Sequence, residues 1–371
     1  MAAQTAEARA FGLDILIGPA ATLPAGFLLG HAQDVAGATG CTAVLCTQGA
    51  VGGVSVRGGA PATRETDLLD PRNTVERVNA VVLSGGSAFG LDASGGVMRW
   101  LAGRGAGFAV GGAVVPIVCG ACIFDLTVGS GDVRPDAAMG YAACETAGTT
   151  VTCGNVGVGT GASIGKLLGE KLSMKSGFGA ASVRIGELAV TALVAVNALG
   201  NVFDRSRGLK LAGTRNPADP SALLDPYEAF LLMLEATGGG RGSDAAGNAG
   251  DDIGNNAGNG AGVGAGAAQP PSNTTIGCVL TNGALTKTQI SRVADMAHDG
   301  FARAIEPVHT SFDGDAIFAL TTANVPTAPD LVGALAATAM EAAILSAVLS
   351  ATAAYGLPSA HELSPAAPRK D

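Results

Sequence analysis

The sequence predicts an α/β protein whose helices and strands form a layered sandwich. Short β-branched runs separated by glycines fill the first two hundred residues, with helical patterns between them. One long break follows, and beyond it the pattern resumes as strand, helix, strand and helix. Strands followed by helices in pairs, interrupted once by a break, favour an α/β layered sandwich over a Rossmann sheet.

Composition limits the classes of function. The 371 residues suffice to bury a large core, as one large domain or two modest ones, and 47% are hydrophobic while 14% are charged. The formal net charge is −9, and lysine and arginine form no cluster. Nucleic acids and anionic membranes attract basic surfaces, so neither is expected as a partner.

The amino-terminal stretch "MAAQTAEARAFGLDILIG" lacks the charged and apolar regions of a secretory signal. Seven cysteines, an odd number in a long chain, indicate reduced thiols, and we expect a cytoplasmic protein. Cys119 and Cys122 form a C-x-x-C pair, but no second pair accompanies it and Val and Ile surround it. We interpret them as packing cysteines of a buried strand and expect no metal.

Before the break, strands are predicted at "CTAVLC", "NAVVLSGG", "GAVVPIV" and "ELAVTALVAVNALG". A helix is predicted over "FGLDASGGVMRWLAGRG", where Phe89, Val97, Trp100 and Leu101 share one face. A second helix, at 225–239, ends at glycines. The break itself, at about 238–270, is mostly glycine, alanine, asparagine and aspartate. Such a segment cannot offset its backbone entropy by burial, so a flexible linker is predicted.

After the break, a strand is predicted over 275–281. An amphipathic helix follows in "LTKTQISRVADMAHDGFARAI", where Thr286 and Gln289 have the spacing of a capping box. The run "DAIFALTT" predicts another strand. The apolar stretch at 330–357 is rich in alanine and carries Glu341 at its centre. It therefore predicts a buried helix of a soluble core rather than a membrane span.

The tripeptide Asn273-Thr274-Thr275 stands between the linker and the next strand. If the chain were cut after Asn273, Thr274 would carry both a hydroxyl nucleophile and a free α-amine. An α-amine has a pKa of about 8, so it can act as the base that activates the hydroxyl. The linker would let the old chain end leave the site. On the tripeptide alone, a plain loop-to-strand junction is the simpler interpretation, since short motifs recur by chance.

Longer stretches resemble a known family. They are "VGGVSVRGGAPATRETDLLDP", "VNAVVLSGGSAFGLDASGGVMRWL", "VPIVCGACIFDL", "GTGASIGK" and the region from "SNTTIGCVLTN" to "DGDAIFALTT". These resemble the P1 family of peptidases, the L-aminopeptidase/D-esterase group, which includes the β-peptidyl aminopeptidases and the 6-aminohexanoate-oligomer endo-hydrolase. The resemblance implies that family's four-layer α/β/β/α sandwich. It also implies self-cleavage into an α chain, 1–273, and a β chain, 274–371, which together form one folded domain.

The resemblance also assigns residues to a site. It makes Thr274 the nucleophile and places Lys166 near it. It assigns the Asn197 side chain to stabilising the oxyanion. Asp313 and Asp315 would orient or tune the nucleophile. An amide donor suits a developing oxyanion, and an ammonium beside the α-amine discourages its protonation. The two aspartates lie two positions apart and share a face if the chain is extended.

One position departs from the family. Some relatives have a tyrosine near the oxyanion where this chain has Phe124. A phenyl ring donates no hydrogen bond, so either another donor serves or the substrate preference differs. The resemblance implies no metal or organic cofactor, and it implies a homo-oligomer of αβ units.

Two histidines and one glycine-rich run also invite functional interpretations. A self-activated nucleophile needs no histidine base, so we expect structural roles for His298 and His309, the latter supporting the "DGD" turn. The run "SGGSAFG" lacks the lysine of a Walker loop and the spacing of a dinucleotide fingerprint. Close backbone packing around a substrate cleft is therefore expected there.

The sequence thus predicts an amidohydrolase that transfers acyl groups to Thr274 and hydrolyses the amide bonds of small peptides or ω-amino acid oligomers. Two alternatives stay open. The first is an acyltransferase of the ornithine acetyltransferase type that uses the same nucleophile. The second is a binding protein that never cleaves itself.

Overall fold

A central sheet with helices on both outer faces forms the protein. The computed structural model describes residues 13–236 and 273–363. The predicted linker at 238–270 lies outside the described residues.

The described residues form the following elements. The strands are β1 (Asp14–Ile17), β2 (Leu28–Asp34), β3 (Thr39–Val56), β4 (Thr63–Arg64), β5 (Arg77–Ser84), β6 (Phe108–Val110), β7 (Ala113–Val115), β8 (Val118–Cys122), β9 (Ser163–Ile164), β10 (Met174–Lys175), β11 (Phe178–Ile185), β12 (Leu188–Ala195), β13 (Asn201–Asp204), β14 (Leu209–Ala212), β15 (Ile276–Gly283), β16 (Ile305–Glu306) and β17 (Ala316–Val325). The helices are α1 (Ala93–Ala102), α2 (Ala137–Glu145), α3 (Pro226–Ala236), α4 (Lys287–Ala304), α5 (Pro329–Ser350) and α6 (Ala360–Leu363).

The central sheet has the strand order β1-β11-β12-β15-β17-β3-β5-β8-β4, and β2 pairs with the first part of β3. Most neighbours are antiparallel, but β15 runs parallel to β17 and β5 runs parallel to β8. The long strand β3 joins the two halves. It pairs with β5 on both sides of a register shift between Leu45 and Ala50, and its last part pairs with β17. Such an irregularity bends a strand and lets one sheet continue into a second layer.

The two halves of the sheet pack against each other through their inner faces. Because side chains alternate along a strand, Ile276 and Cys278 of β15 join Val44 and Leu83 from the other half in one buried cluster. Val279 points the opposite way, into the cluster that holds α4 and α5. Helices α1 and α2 cover the other outer face through a third cluster. The predicted four-layer α/β/β/α sandwich is therefore confirmed.

Helix α5 has the composition of a membrane span but packs into the core. Among the described residues it is the one helix that is long and apolar enough to cross a membrane, with a mean hydropathy of 1.9. However, 78% of that stretch is buried in the protein. Fully buried side chains such as Met340 and Ile344 contribute about 2 kcal/mol each through burial. Packing therefore accounts for its apolar composition, as predicted.

The amphipathic helix α4 begins as predicted. The Thr286 side chain accepts a hydrogen bond from the backbone of Gln289, and the Gln289 side chain accepts one from the backbone of Thr286. Both halves of the capping box are present, so the helix start is fixed by local sequence.

The predicted helical face around Phe89 is partly wrong. Val97, Trp100 and Leu101 are buried on α1, but Phe89 lies in a 3₁₀ turn before the helix and its side chain is 59% exposed. Gly86 precedes this turn with a φ of 79°. Because a 3₁₀ turn advances three residues per revolution rather than 3.6, Phe89 is rotated away from the face of α1.

Cys119 and Cys122 both lie in β8 and are buried, as predicted. Three positions apart on a strand, their side chains point to opposite faces, so they cannot share one ligand. All seven cysteines are free thiols. Burial raises the pKa of Cys119 to about 12, which keeps it an inert packing residue.

Candidate active site

The topology brings four of the five predicted catalytic residues to one edge of the sheet. Thr274 precedes β15, and Asp313 and Asp315 precede β17, which is parallel to β15. Asn197 follows β12, which is antiparallel to β15, so its end meets their beginnings. The fifth, Lys166, follows the short strand β9 and reaches the same edge from the side.

The Asn273–Thr274 peptide is buried and held on both sides. The carbonyl oxygen of Asn273 accepts hydrogen bonds from the N–H of Gly314 at 2.9 Å and from Oγ1 of Thr274. The N–H of Thr274 donates to the carbonyl oxygen of Asn197 at 3.1 Å. The N–H of Asn273 donates to Phe312 at 3.0 Å. These bonds fix the orientation of the peptide and of the hydroxyl beside it.

Gly314 must be a glycine for this arrangement. A Cβ atom at this position would lie 2.8 Å from Oγ1 of Thr274 and 2.7 Å from the carbonyl oxygen of Ala60. Its backbone can approach the Asn273 carbonyl only because no side chain intervenes. The "DGD" run is therefore more than a surface turn, since its middle residue supplies a donor to the site.

Asp315 anchors the start of β15. Its Oδ1 accepts a hydrogen bond from the N–H of Thr275 at 2.7 Å. Its Oδ2 contacts Nδ1 of His309 at 2.7 Å and accepts from the backbone N–H of His309 at 3.2 Å. His309 therefore supports the "DGD" segment, as the sequence predicted. The hydrogen bond between Asp315 and the N–H of Thr275 fixes the backbone directly after Thr274.

Asp313 has a different environment. Its Oδ2 accepts hydrogen bonds from the backbone N–H and the hydroxyl of Thr310, at 3.0 and 2.6 Å. Burial and the neighbouring charge of Asp315 raise the pKa of Asp313 to about 6. The two aspartates thus differ: Asp315 is bound to a histidine, and Asp313 is a carboxyl group able to exchange a proton near neutral pH.

Lys166 is almost completely buried. Its ammonium donates to Oδ1 of Asn197 at 2.7 Å and to the backbone oxygen of Asn197 at 3.4 Å. Burial lowers the pKa of Lys166 to about 8, and the carboxylates of Glu170, Asp313 and Asp125 oppose this change. Lys166 therefore titrates near physiological pH and contacts the residue that holds the Thr274 nitrogen.

The side chain of Asn197 makes hydrogen bonds through both its oxygen and its nitrogen. Its Oδ1 accepts from Lys166 and from the N–H of Ser163, and its Nδ2 donates to the carbonyl oxygen of Phe124 at 3.0 Å. The amide donor does not bind the Asn273 carbonyl, whose donors are Gly314 and Thr274. One of these two donors, the backbone N–H of Gly314, was not predicted from the sequence.

Two more buried charged residues border the site, and sequence reasoning missed both. Asp125, next to Phe124, accepts from the hydroxyl of Thr39 at 2.7 Å and from the N–H of Gly86 at 2.6 Å, and burial raises its pKa. Lys175 donates to three backbone carbonyls, and burial lowers its pKa to about 7. The sequence held one weak sign that Lys175 is buried, namely its position in a strand-like run. Asp125 gave none beyond its position after Phe124.

The remaining sequence features have structural roles. His298 is buried, contacts the backbone oxygen of Ser55 at 3.1 Å, and lies edge-on to His309. The glycine-rich run packs closely, because a Cβ on Gly85 would lie 2.1 Å from a carboxylate oxygen of Asp125. In the part of the chain that the structure describes, no group of three or more His, Cys, Asp or Glu side chains is arranged to hold a metal ion.

The chain is similar to known proteins both in sequence and in fold. A model of peptidase family S58 matches residues 24–361. An uncharacterized aminopeptidase of Mycobacterium bovis is 40% identical over 346 residues, which cover 89% of this chain and 91% of that protein. A 6-aminohexanoate-oligomer endohydrolase of Agromyces sp. is 30% identical over 315 residues, covering 82% of this chain and 76% of that enzyme.

Solved structures share the fold. The L-aminopeptidase D-Ala-esterase/amidase of Ochrobactrum anthropi, described as a variant of the Ntn hydrolase fold, matches with a TM-score of 0.62 at 18% identity and 96% coverage of each chain. A β-aminopeptidase of Burkholderia sp. matches with a TM-score of 0.60 at 19% identity, again over 96% of each chain. Both agree with the four-layer architecture described above.

Proposed function

The chain belongs to peptidase family S58, and on that premise we propose that it cleaves its own Asn273–Thr274 bond and then hydrolyses amides with the freed Thr274. Family membership supports the general activity, which is that of an aminopeptidase or amidohydrolase. It also favours hydrolysis over transfer of the acyl group to an amine. The proposal adds the nucleophile, the cleavage position and the roles of the surrounding residues.

The geometry of the 273–274 peptide is the observation that supports self-cleavage. Oγ1 of Thr274 lies against the carbonyl group that it would attack, since it donates to that carbonyl oxygen. The N–H of Gly314, 2.9 Å from the same oxygen, is placed to stabilise the negative charge that develops during attack. A donor already in position needs no reorganisation, and such donors contribute about 3 kcal/mol to a transition state.

The cleavage needs no reagent except water. Oγ1 of Thr274 bonds to the carbonyl carbon of Asn273, and its proton passes to the nitrogen as the C–N bond breaks. An ester then links Asn273 to the Thr274 hydroxyl oxygen, and the nitrogen becomes a free α-amine. Water hydrolyses the ester, which leaves the Asn273 carboxylate at the end of an α chain, 1–273, and Thr274 at the start of a β chain, 274–371.

The freed Thr274 then acts on substrates by the same chemistry. Its α-amine accepts the proton of Oγ1, Oγ1 bonds to the substrate carbonyl carbon, and the substrate amine leaves with that proton. Water hydrolyses the resulting ester and regenerates the threonine. The backbone oxygen of Asn197, which holds the Thr274 nitrogen before cleavage, remains an acceptor for the α-amine.

The neighbouring charges suit an amine that acts as a base. Lys166 contacts Asn197 beside this nitrogen, and its positive charge disfavours a second ammonium there. Asp315 fixes the backbone of Thr275 and so orients the nucleophile. Asp313, with a pKa near 6, is suited to proton exchange at neutral pH. In substrate turnover, Asn197 can donate to the oxyanion through the second N–H of Nδ2, since one N–H binds the carbonyl oxygen of Phe124.

We propose small peptides or ω-amino acid oligomers as substrates, the latter because one relative is named a 6-aminohexanoate-oligomer endohydrolase. Phe124 contributes its carbonyl oxygen to the site but no hydroxyl donor. Oxyanion stabilisation therefore falls to the backbone of Gly314 and the amide of Asn197.

The variant Thr274→Ala tests the proposal. Without Oγ1 the chain should stay at full length on a denaturing gel, and amide hydrolysis should be lost. Thr275→Val is the matched control, since it removes the neighbouring hydroxyl and keeps a β-branched side chain; it should still be cleaved. Hydrolytic activity in purified Thr274→Ala would overturn the assigned nucleophile.

A further inference from the structure

Glu170 lies beside the proposed site, but no role described above uses it. It begins a 3₁₀ turn that follows Lys166 by four residues, and its side chain is half-buried. Its Oε1 accepts hydrogen bonds from the hydroxyls of Ser163 at 3.0 Å and Ser173 at 3.4 Å. Its Oε2 accepts from the hydroxyl of Thr127 at 3.2 Å. The hydroxyls of Ser163 and Thr127 therefore hold this carboxylate in place, while the Ser173 hydroxyl lies closer to the backbone oxygen of Glu170, at 2.7 Å.

Ser163 connects Glu170 to the site. Its backbone N–H donates to Oδ1 of Asn197 at 3.0 Å, and the same oxygen accepts from Lys166 at 2.7 Å. The position of Ser163 thus decides where the Asn197 amide points. Because Glu170 binds the hydroxyl of Ser163, a continuous chain of contacts runs from Glu170 to the residue that holds the Thr274 nitrogen.

The negative charge of Glu170 also acts on the ammonium group of Lys166. The charged groups around Lys166 are Glu170, Asp313 and Asp125 on the negative side and Lys175 on the positive side. Among the carboxylates, Glu170 makes the largest contribution that favours the ammonium form of Lys166. An opposite charge close to a buried lysine offsets part of the cost of desolvation.

We propose that Glu170 is a positioning residue of the hydrolytic centre, which fixes Asn197 through Ser163 and provides a negative charge near Lys166. The inference rests on the proposed function for its catalytic consequence, but its effect on Lys166 can be measured without any activity.

The variant Glu170→Gln separates the two contributions. Glutamine keeps an oxygen that accepts from Ser163 but removes the negative charge. The pKa of Lys166, already below its usual range through burial, should fall further. The limb of the pH–rate profile that Lys166 governs should therefore move to lower pH by about 0.5 unit or more. This direction holds whether the neutral or the charged form of Lys166 is active.

The variant Ser163→Ala makes the complementary change. It removes the hydroxyl that binds Glu170 but keeps the charge and the backbone N–H to Asn197. The rate of self-cleavage and kcat should fall, while the pH limb should stay where it is. Glu145→Gln is the control, because Glu145 lies at the end of α2, away from the site, where it pairs with Arg104. It should change neither the limb nor the rates.

A direct titration distinguishes this inference from the proposed function. Lysine labelled with ¹³C at Cε is followed by NMR against pH in Thr274→Ala, with and without Glu170→Gln. A lower midpoint for the Lys166 signal in the double variant supports the inference, even if the protein proves inactive. An unchanged midpoint overturns it, even if the wild-type protein cleaves itself and hydrolyses amides.

Discussion

At the scale of single residues, Gly314 lets a backbone N–H approach the carbonyl group at the proposed cleavage site. Its N–H lies 2.9 Å from the carbonyl oxygen of Asn273, and a Cβ would lie within 2.8 Å of Oγ1 of Thr274. A side chain here would push the nucleophile, the donor or both out of position. A displacement of about 1 Å at reacting groups can slow a reaction roughly 100-fold.

We expect Gly314→Ala to slow self-cleavage by roughly 100-fold or more, since both the donor and the nucleophile are disturbed. A time course of full-length protein on denaturing gels measures the rate. Gly148→Ala is the matched control, because a Cβ at Gly148 meets nothing within 4 Å. Normal cleavage in Gly314→Ala would show that the reaction does not need glycine at this position, since alanine keeps the backbone N–H.

Single residues also mark the limit of sequence reasoning about the site. Thr274 was predicted from the family resemblance, because on the tripeptide alone a plain loop-to-strand junction was the simpler interpretation. Gly314 was missed, because its contribution is a backbone N–H that no side-chain pattern reveals. Asp125 and Lys175 were missed because their charges become significant only once folding buries them.

Local signals at the scale of elements predicted helix α4 and strands β15 and β17 well. The capping box of Thr286 and Gln289 and the regular apolar spacing of α4 are encoded within a few residues. The pairing of β3 with both β5 and β17 was not predictable, because strand pairing depends on residues distant in sequence. The site itself is brought together by the pairing of β15 with β12 and β17, which also joins residues distant in sequence.

The segment at 159–163 ends at Ser163, and Lys175 of β10 holds it in place through hydrogen bonds. The Lys175 ammonium donates to the carbonyls of Gly159 and Ala162, each at 2.9 Å, and to that of Ser176. Lys287 at the start of α4 makes the same kind of contact elsewhere. It donates to three carbonyls between 68 and 75, each at 2.8 Å.

The two lysines therefore form a matched pair of variants. Lys175→Met and Lys287→Met should each lower the free energy of unfolding by a few kcal/mol, on the order of 1–3 per buried group left unsatisfied. Only Lys175→Met should also slow self-cleavage, by roughly tenfold or more, since its segment positions Ser163 and Asn197. Urea unfolding and gel time courses measure the two effects. Equal cleavage rates in both variants would contradict a link between this segment and the site.

The whole molecule should become less stable in mild acid. Burial lowers the pKa of His31 to about 4 and that of His298 to about 3, from 6.5. Between pH 6.5 and these values the unfolded chain binds protons that the folded protein does not. The contribution of these two histidines to the free energy of unfolding should therefore fall as pH drops from about 6.5 to 3, with no further loss below that.

His298→Gln tests this dependence. Removing the group should flatten the slope of unfolding free energy against pH in that window, whatever its effect at neutral pH. A slope in His298→Gln equal to that of the wild-type protein would show that His298 does not drive acid unfolding.

At the scale of the whole chain, the proposal requires that one peptide bond, Asn273–Thr274, is cleaved. Purified active protein is separated on a denaturing gel, and the smaller fragment is sequenced from its amino terminus, with its mass measured in parallel. The self-cleavage proposal predicts a fragment that begins Thr274-Thr275-Ile276. Activity from an intact chain, or a fragment that begins at another residue, would contradict it.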